Sequence, residues 1–262
     1  VEDIGNSNGI LLKAVGLTKT FGGLAAVKDV SFDMRQGLIK AIIGPNGAGK
    51  TTLYDLLTGI YMPDKGSVIF QDREIIGLPT HKIAALGIAR TFQTIRLFSS
   101  MTVIENIMVG LHHRTRTGML QSSLRLPSAR REEAWMGREA LRYLDIVGLE
   151  MQAENLAGSL PFGQQRLLEV ARALATDPRV LLLDEPASGL NTYETRELGD
   201  IIYAVRDLGV TVILVEHDMG LVMRISDEVL VLDYGEIIAE GPPETVRNNP
   251  KVIEAYLGSP LH

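Results

Sequence analysis

The chain of 262 residues carries 26 Lys and Arg against 32 Asp and Glu, a formal charge of -6, with 45% hydrophobic residues and no cysteine. That length suffices for one large core or a core with a subdomain, no apolar run reaches the roughly 18 residues that span a bilayer, and the acidic balance argues against wholesale nucleic-acid binding. Without cysteine there are no disulfides, in keeping with a reducing compartment, and Val1 to Asn8 lacks the basic and apolar regions of a secretory signal.

Apolar residues recur at strand spacing from Ile10 to Leu17 and from Val27 to Met34, with Phe21-Gly22-Gly23 in the turn region between them, so an antiparallel piece is expected to open the fold. Leu38 to Ile43 reads as a buried strand and Thr52 to Thr58 as the start of a helix. Between them, Gly44-Pro45-Asn46-Gly47-Ala48-Gly49-Lys50-Thr51-Thr52 fits the phosphate-loop pattern G-x-x-x-x-G-K-[ST] in the strand-then-helix context that the pattern requires. Its glycines let successive N–H groups turn toward phosphate oxygens, and the helix N-terminus adds partial positive charge. Asn46, Gly47, Ala48, Gly49, Lys50, Thr51 and Thr52 are therefore candidate nucleotide contacts, with Lys50 on the outer phosphates and the Thr51 hydroxyl on Mg2+. The glycine spacing is not that of a dinucleotide fold.

Further along, Pro63-Asp64-Lys65-Gly66 signals a turn before a strand at Ser67 to Phe70, Pro79 suits the first turn of a helix running to Leu86, and Ile88 to Phe92 reads as a strand. From Gln93 to Leu160 the pattern changes: Thr102 to Leu111 and Arg131 to Val147 suit helices, no strand is evident, and a helical subdomain is expected. Inside it Arg114, Arg116, Arg125, Arg130 and Arg131 surround Gly118 and Pro127; such a run reads first as a solvated face and otherwise as a contact for a partner or anionic lipid. His112-His113 has no motif context and reads as surface.

Beyond Gly163, Leu167, Val170, Ala171 and Leu174 mark one helix face, and Leu198, Ile201, Ile202, Val205 and Leu208 mark another. They separate the all-apolar runs Val180 to Leu183 and Thr211 to Val215, which implies parallel crossovers in a sheet covered on both sides. The tail adds strands at Glu228 to Leu232 and Glu236 to Ala239 around Asp233-Tyr234-Gly235, then a small helix from Pro250 to Leu257. The expected fold is α/β: a P-loop NTPase core of mainly parallel sheet flanked by helices, with the antiparallel β piece and the inserted helical subdomain. Its core would span 10–93 and 164–240, the subdomain about 94–163, and a C-terminal extension 241–262.

The strand Val180 to Leu183 ends in Asp184-Glu185, at the sheet edge where parallel folds open their ligand crevice. Asp184 there suits Mg2+ or its water, and Glu185 is a candidate to polarise an attacking water.

With these motifs in this order, the chain resembles the nucleotide-binding subunits of ATP-binding cassette (ABC) transporters from about Leu11 to Leu257. The resemblance implies that Phe21, in Lys19-Thr20-Phe21-Gly22-Gly23, stacks on adenine. It implies that Gln93, in Thr91-Phe92-Gln93, contacts Mg2+ and the attacking water while linking the core to the helical subdomain, and that His217, in Val215-Glu216-His217-Asp218, contacts the terminal phosphate. Leu160-Pro161-Phe162-Gly163-Gln164 stands in place of the family signature Leu-Ser-Gly-Gly-Gln; Gly163 and Gln164 match, whereas Pro161 removes the serine donor and Phe162 crowds a glycine position. In Ser188-Gly189-Leu190-Asn191, an asparagine replaces the usual aspartate.

Such subunits pair so that each ATP lies between one phosphate loop and the other signature. The resemblance therefore implies ATP and Mg2+, a second ABC ATPase subunit, identical or not, integral-membrane permease subunits, an indirect extracytoplasmic solute-binding protein and no nucleic acid, with a peripheral position on the cytoplasmic face of the membrane. Gly22-Gly23-Leu24, Ala89-Arg90-Thr91-Phe92-Gln93, the insertion after Glu105-Asn106, Gln165-Arg166 and Gly241-Pro242-Pro243-Glu244 are most similar to the LivG-type branch, which serves branched-chain amino acid import. Importers of urea or short amides, lipopolysaccharide exporters and soluble ABC ATPases are the alternatives, along with a regulator that binds nucleotide without hydrolysing it.

Overall fold

The chain opens with β1 (Ile10–Phe21) and β2 (Leu24–Arg35), then β3 (Ile39–Ile43), α1 (Lys50–Leu57), β4 (Lys65–Phe70), β5 (Arg73–Glu74), α2 (Thr80–Ala85) and β6 (Ile88–Arg90). Helices α3 (Val103–Leu111), α4 (Pro127–Ile146) and α5 (Phe162–Leu174) follow, and β7 (Val180–Asp184), α6 (Thr192–Asp207), β8 (Thr211–Val215), α7 (Met219–Ile225), β9 (Glu228–Asp233), β10 (Glu236–Gly241), α8 (Pro243–Arg247) and α9 (Pro250–Leu257) complete it. This computed structural model describes residues 9–114 and 127–257. The expectations for Val1 to Asn8 and for Arg116, Gly118 and Arg125 lie outside the described residues.

Two sheets result. The antiparallel sheet has the order β2-β1-β4-β5, and the other has the order β10-β9-β3-β8-β7-β6, parallel throughout except for the β9–β10 hairpin. In the parallel sheet, consecutive side chains enter different cores. Leu181 and Leu183 pack with the helices α3 to α7, whereas Val180 and Leu182 pack with α1 and the antiparallel sheet. Because both faces are covered, the runs Val180 to Leu183 and Val212 to Val215 are apolar at every position. Among the described residues, no helix is long and apolar enough to cross a membrane.

The boundaries differ from expectation in physically instructive places. Helix α1 begins at Lys50, two residues before the apolar pattern, because Gly49 caps it in the left-handed region (φ 100°). Strand β6 stops at Arg90 rather than Phe92, since the carbonyls of Phe92 and Gln93 turn to accept from the Arg166 guanidinium at 3.0 and 2.9 Å. Helices α7 and α8, of 7 and 5 residues, are too short to display an apolar period, and β5 follows a tight turn at Gln71-Asp72 with both φ positive. Helix α3 starts where its capping box dictates: Thr102 Oγ1 accepts from Glu105 N at 3.2 Å and Glu105 Oε2 accepts from Thr102 N at 2.8 Å.

Candidate nucleotide site

Four neighbouring strands deliver the candidate residues to one edge. The C-terminal end of β3 leads into the phosphate loop, β8 into Glu216-His217, β7 into Asp184-Glu185 and β6 into Thr91-Phe92-Gln93, and these strands are adjacent in the order β3-β8-β7-β6. Residues separated by more than 90 positions thereby meet.

The loop is closed by backbone against backbone. A Cβ on Gly44 would stand 2.1 Å from Leu232 O, and one on Gly49 would stand 2.2 Å from Ala26 O, so both positions admit only glycine. Gly235, in the β9–β10 turn, donates from its N to Ala48 O at 3.0 Å and braces the loop from behind. Lys50 is 6% exposed, and its Nζ donates to Gly44 O at 2.6 Å and Pro45 O at 2.9 Å. Burial lowers its pKa, and the negative charges of Glu185 and Asp184 oppose that change. The ammonium is thus held at the mouth of the loop, facing two carboxylates from β7. Asn46, Gly47 and Thr51 are exposed, Gly49 and Thr52 half-buried and Ala48 buried.

Opposite the loop, Glu185 lies in the left-handed region (φ 47°), with its N donating to Val215 O at 2.9 Å. Such strained geometry at a non-glycine residue is characteristic of functional sites. Glu185 joins two further residues proposed from sequence: Gln93 Nε2 donates to its Oε2 at 2.9 Å, and His217 Nε2 lies 3.1 Å from its Oε1. Asp184 is 4% exposed and accepts from Arg90 Nη2 through Oδ2 at 2.7 Å.

Several residues here carried no signal in the sequence. Buried Glu216 accepts from Ala187 N at 2.6 Å with one oxygen and from His217 N and Asp218 N at 2.9 and 3.2 Å with the other, tying the segment after β7 to the one after β8. Burial pushes its pKa up, against the pull of those three amides. On α5, Arg166 and Glu169 form a buried pair at 3.1 Å; Glu169 also accepts from Arg96 N at 3.3 Å, and Arg172 Nη2 donates to Arg96 O at 2.5 Å. Burial raises the Glu169 pKa, with the Arg96 amide and Arg166 opposing. These side chains bind the segment after β6 to α5. Of these, Arg166 stood in the sequence only as part of the family-like string Gln165-Arg166, and Glu169 and Arg172 carried no signal.

Helix α5 begins with Pro161 at its N-cap and no side-chain cap. The cap backbone is extended (φ -53°, ψ 151°), a conformation natural to proline. Half-exposed Phe162 packs beside Gly189, and buried Gly163 lies against the Glu194 side chain. Gln164 is half-buried in the first turn. Asn191 caps α6: its Oδ1 accepts from Tyr193 N and Glu194 N at 2.9 and 3.0 Å, and Glu194 answers by accepting from Asn191 N at 2.9 Å. The asparagine carbonyl is thus committed to the helix start, and the residues around Pro161 and Asn191 share one surface.

Phe21 ends β1 half-exposed, with Tyr61 edge-on at 5.2 Å and Lys19 Nζ 5.6 Å from its ring. Tyr61, from an exposed apolar run ahead of Pro63, was not among the expected site residues. Of the basic stretch, Arg114 pairs with Asp177 at 3.6 Å, donates to Tyr143 Oη at 3.2 Å and lies over Trp135, while Arg131 is exposed. His112 is exposed, as expected. A groove of about 720 Å³, lined among others by Ile83, Arg90, Phe92, Phe98, Val109 and Arg172, runs between the parallel sheet edge and helices α3 and α5.

Comparison with known proteins accords with this geometry. A family model described as ABC transporter matches residues 27–188, and one described as branched-chain amino acid ATP-binding cassette transporter matches 236–262. The high-affinity branched-chain amino acid transport ATP-binding protein LivG of Salmonella typhimurium is 47% identical over 249 residues, covering 95% of this chain and 98% of that protein. A crystal structure of a nucleotide-free ATP-binding cassette from an ABC transporter superposes with a TM-score of 0.83 at 31% identity, covering 95% of this chain and 100% of the other. A dimeric ATP-binding cassette in a post-hydrolysis state, bound to ADP and Pi, gives a TM-score of 0.75 at 25% identity, over 89% of this chain and 99% of the other.

Proposed function

Because the chain belongs to the ABC transporter family, as an ATP-binding subunit that hydrolyses ATP, we propose that it powers import of branched-chain or related amino acids. The observation that carries this reading is the likeness to the branched-chain relatives along nearly the whole chain, together with the match of its tail to their own family description. The subunit works peripherally on the cytoplasmic face of the membrane, against integral-membrane permease subunits, with a solute-binding protein acting on the far side.

In this reading, the amides from Asn46 to Thr52 and the Lys50 ammonium hold the β- and γ-phosphates, and Phe21 offers its half-exposed ring to adenine. Glu185 accepts the proton of a water aimed at the terminal phosphorus, Gln93 orients that water, and His217 donates to the terminal phosphate. The donor set fits Mg2+: the Thr51 hydroxyl, an Asp184 carboxylate oxygen and the Gln93 amide oxygen are hard ligands, and among the described residues no cluster of three His, Cys, Asp or Glu could hold a metal alone. Such a set suits an ion shared with phosphates. Mg2+ bound there would neutralise charge developing on the transferred phosphoryl group.

A second cassette subunit would place its Gly163 and Gln164 on the terminal phosphate, with the first amides of its α5 as donors. We read the chain as a core of 10–93 and 164–240, a helical subdomain of about 94–163 and an extension of 241–262. The groove between core and subdomain takes a cytoplasmic segment of the permease, since its wall includes Phe92, next to Gln93.

Reconstitution with the permease subunits and solute-binding protein in vesicles tests the reading. ATP-dependent uptake of labelled leucine is expected. Uptake of urea instead, or ATP hydrolysis that no membrane partner affects, would overturn it.

A further inference from the structure

Arg90 ends β6, beside β7, and its side chain is 8% exposed. Its guanidinium bridges two carboxylates: Nη2 donates to Asp184 Oδ2 at 2.7 Å and Nη1 to Asp55 Oδ1 at 2.5 Å. Asp55 lies on α1, four residues after Thr51, so the two share a helix face. One rigid cation therefore connects the helix carrying Thr51 to the strand end carrying Asp184. The rings of Tyr54 and Phe92 lie 5.5 and 5.3 Å from the guanidinium carbon, and Tyr54 Oη donates to Leu183 O at 3.2 Å as a second tie between α1 and β7. Buried Arg90 Nε has no partner, so the two carboxylates, the Thr58 hydroxyl at 3.5 Å from Nη1 and the two rings orient the group.

We propose that Arg90 is a positioning residue that sets the spacing of Thr51 and Asp184 and thereby the affinity of the nucleotide site for its divalent cation. The inference rests on the reading of those two residues as cation ligands. Two physical effects support it. By engaging Oδ2, Arg90 fixes the Asp184 carboxylate so that Oδ1 is the oxygen presented to an ion; partners behind a metal ligand typically govern affinity by about 10- to 100-fold. By standing between Asp55 and Asp184, it keeps that trio at one net negative charge and spares the two carboxylates their mutual repulsion. Lysine could supply the charge but not the planar fork that spans both acids. Arg90 also forms part of the groove wall, so a segment seated there touches the group that holds Asp184.

The test is titration of a fluorescent ADP analogue against the full chain at graded Mg2+ concentrations. Arg90→Met is expected to leave Mg2+-free nucleotide affinity within about two-fold while raising the half-maximal Mg2+ concentration by about 10- to 100-fold. Arg90→Lys should fall between this variant and wild type. Asp55→Asn, which cuts only the tether to α1, should shift the midpoint in the same direction by a smaller factor, and it decides the matter if Arg90→Met does not fold. A wild-type Mg2+ midpoint in Arg90→Met, or in Asp55→Asn where that variant decides, overturns the proposal, as does equal loss of Mg2+-free and Mg2+-dependent binding. Asp184→Asn separates the two levels of inference. If it too keeps the wild-type midpoint, the cation reading itself fails; if it abolishes the Mg2+ effect while Arg90→Met does not, only the role of Arg90 fails.

Discussion

At the phosphate loop, backbone carbonyls occupy the space where Gly44 and Gly49 would carry a Cβ, whereas at the start of α5 Pro161 and Phe162 sit comfortably in positions where the family pattern has serine and glycine. The loop is built from main-chain atoms wedged against Leu232 and Ala26, so its residue types are dictated by space. The α5 face is built from a helix start, whose inward-pointing amides persist whatever side chains surround them. Phe162 finds room beside Gly189, and Asn191 does the capping work for α6. The two regions thus tolerate sequence change differently: backbone closes the positions of Gly44 and Gly49, whereas the start of α5 accommodates Pro161 and Phe162.

That contrast can be broken at several points. The largest effect is expected on the loop side: Glu185→Gln should keep ATP binding, trap a dimer and slow phosphate release by about 10²- to 10⁴-fold; release at the wild-type rate would remove Glu185 from its role. Next comes the tie between α5 and the segment after β6. Arg166→Met leaves buried Glu169 with the Arg96 amide but without its paired guanidinium and should cost about 3 kcal/mol in urea unfolding. A change below about 1 kcal/mol would mean that the Arg166–Glu169 pair merely accompanies the fold without holding it. On the α5 face, Pro161→Ser restores a donor to a charged acceptor, worth about 1.5 kcal/mol or a roughly ten-fold gain in hydrolysis by the assembled transporter. No change, or a loss, would show that the helix start has adapted to proline. The smallest effect belongs to Asn191→Ala, about 1 kcal/mol of thermal stability through the lost cap, and Asn191→Asp should preserve the cap and show no loss.

Much of the site was legible because its chemistry is local. Gly44 to Thr52 is a contiguous conformation and Asp184-Glu185 ends a recognisable strand, so both could be proposed from their neighbours, whereas His217, which follows another strand, drew its role from the family resemblance. Arg90, Arg166 and Glu216 were not legible in this way. Arg90 and Arg166 had significance only as parts of family-like strings, and Glu216 stood in the shadow of His217. Each acts through a partner far along the chain: Asp184 for Arg90, the carbonyls of Phe92 and Gln93 for Arg166, Ala187 for Glu216.

While α7, α8 and β5 were too short to register, sequence by itself determined the longer elements and the two-sided burial of the parallel strands, and it proposed the phosphate-binding and acidic residues. These follow from periodicities and turn chemistry within windows of a few residues. Only the tertiary structure decided that β6 lies beside β7 and β8 beside β3, and with that order came the meeting of Gln93, Glu185 and His217 and the bridge from Arg90 to both Asp55 and Asp184. Strand order is settled by the global burial of apolar faces. No short stretch of residues encodes it, and side-chain partnerships that depend on it emerge only when the sheet is assembled.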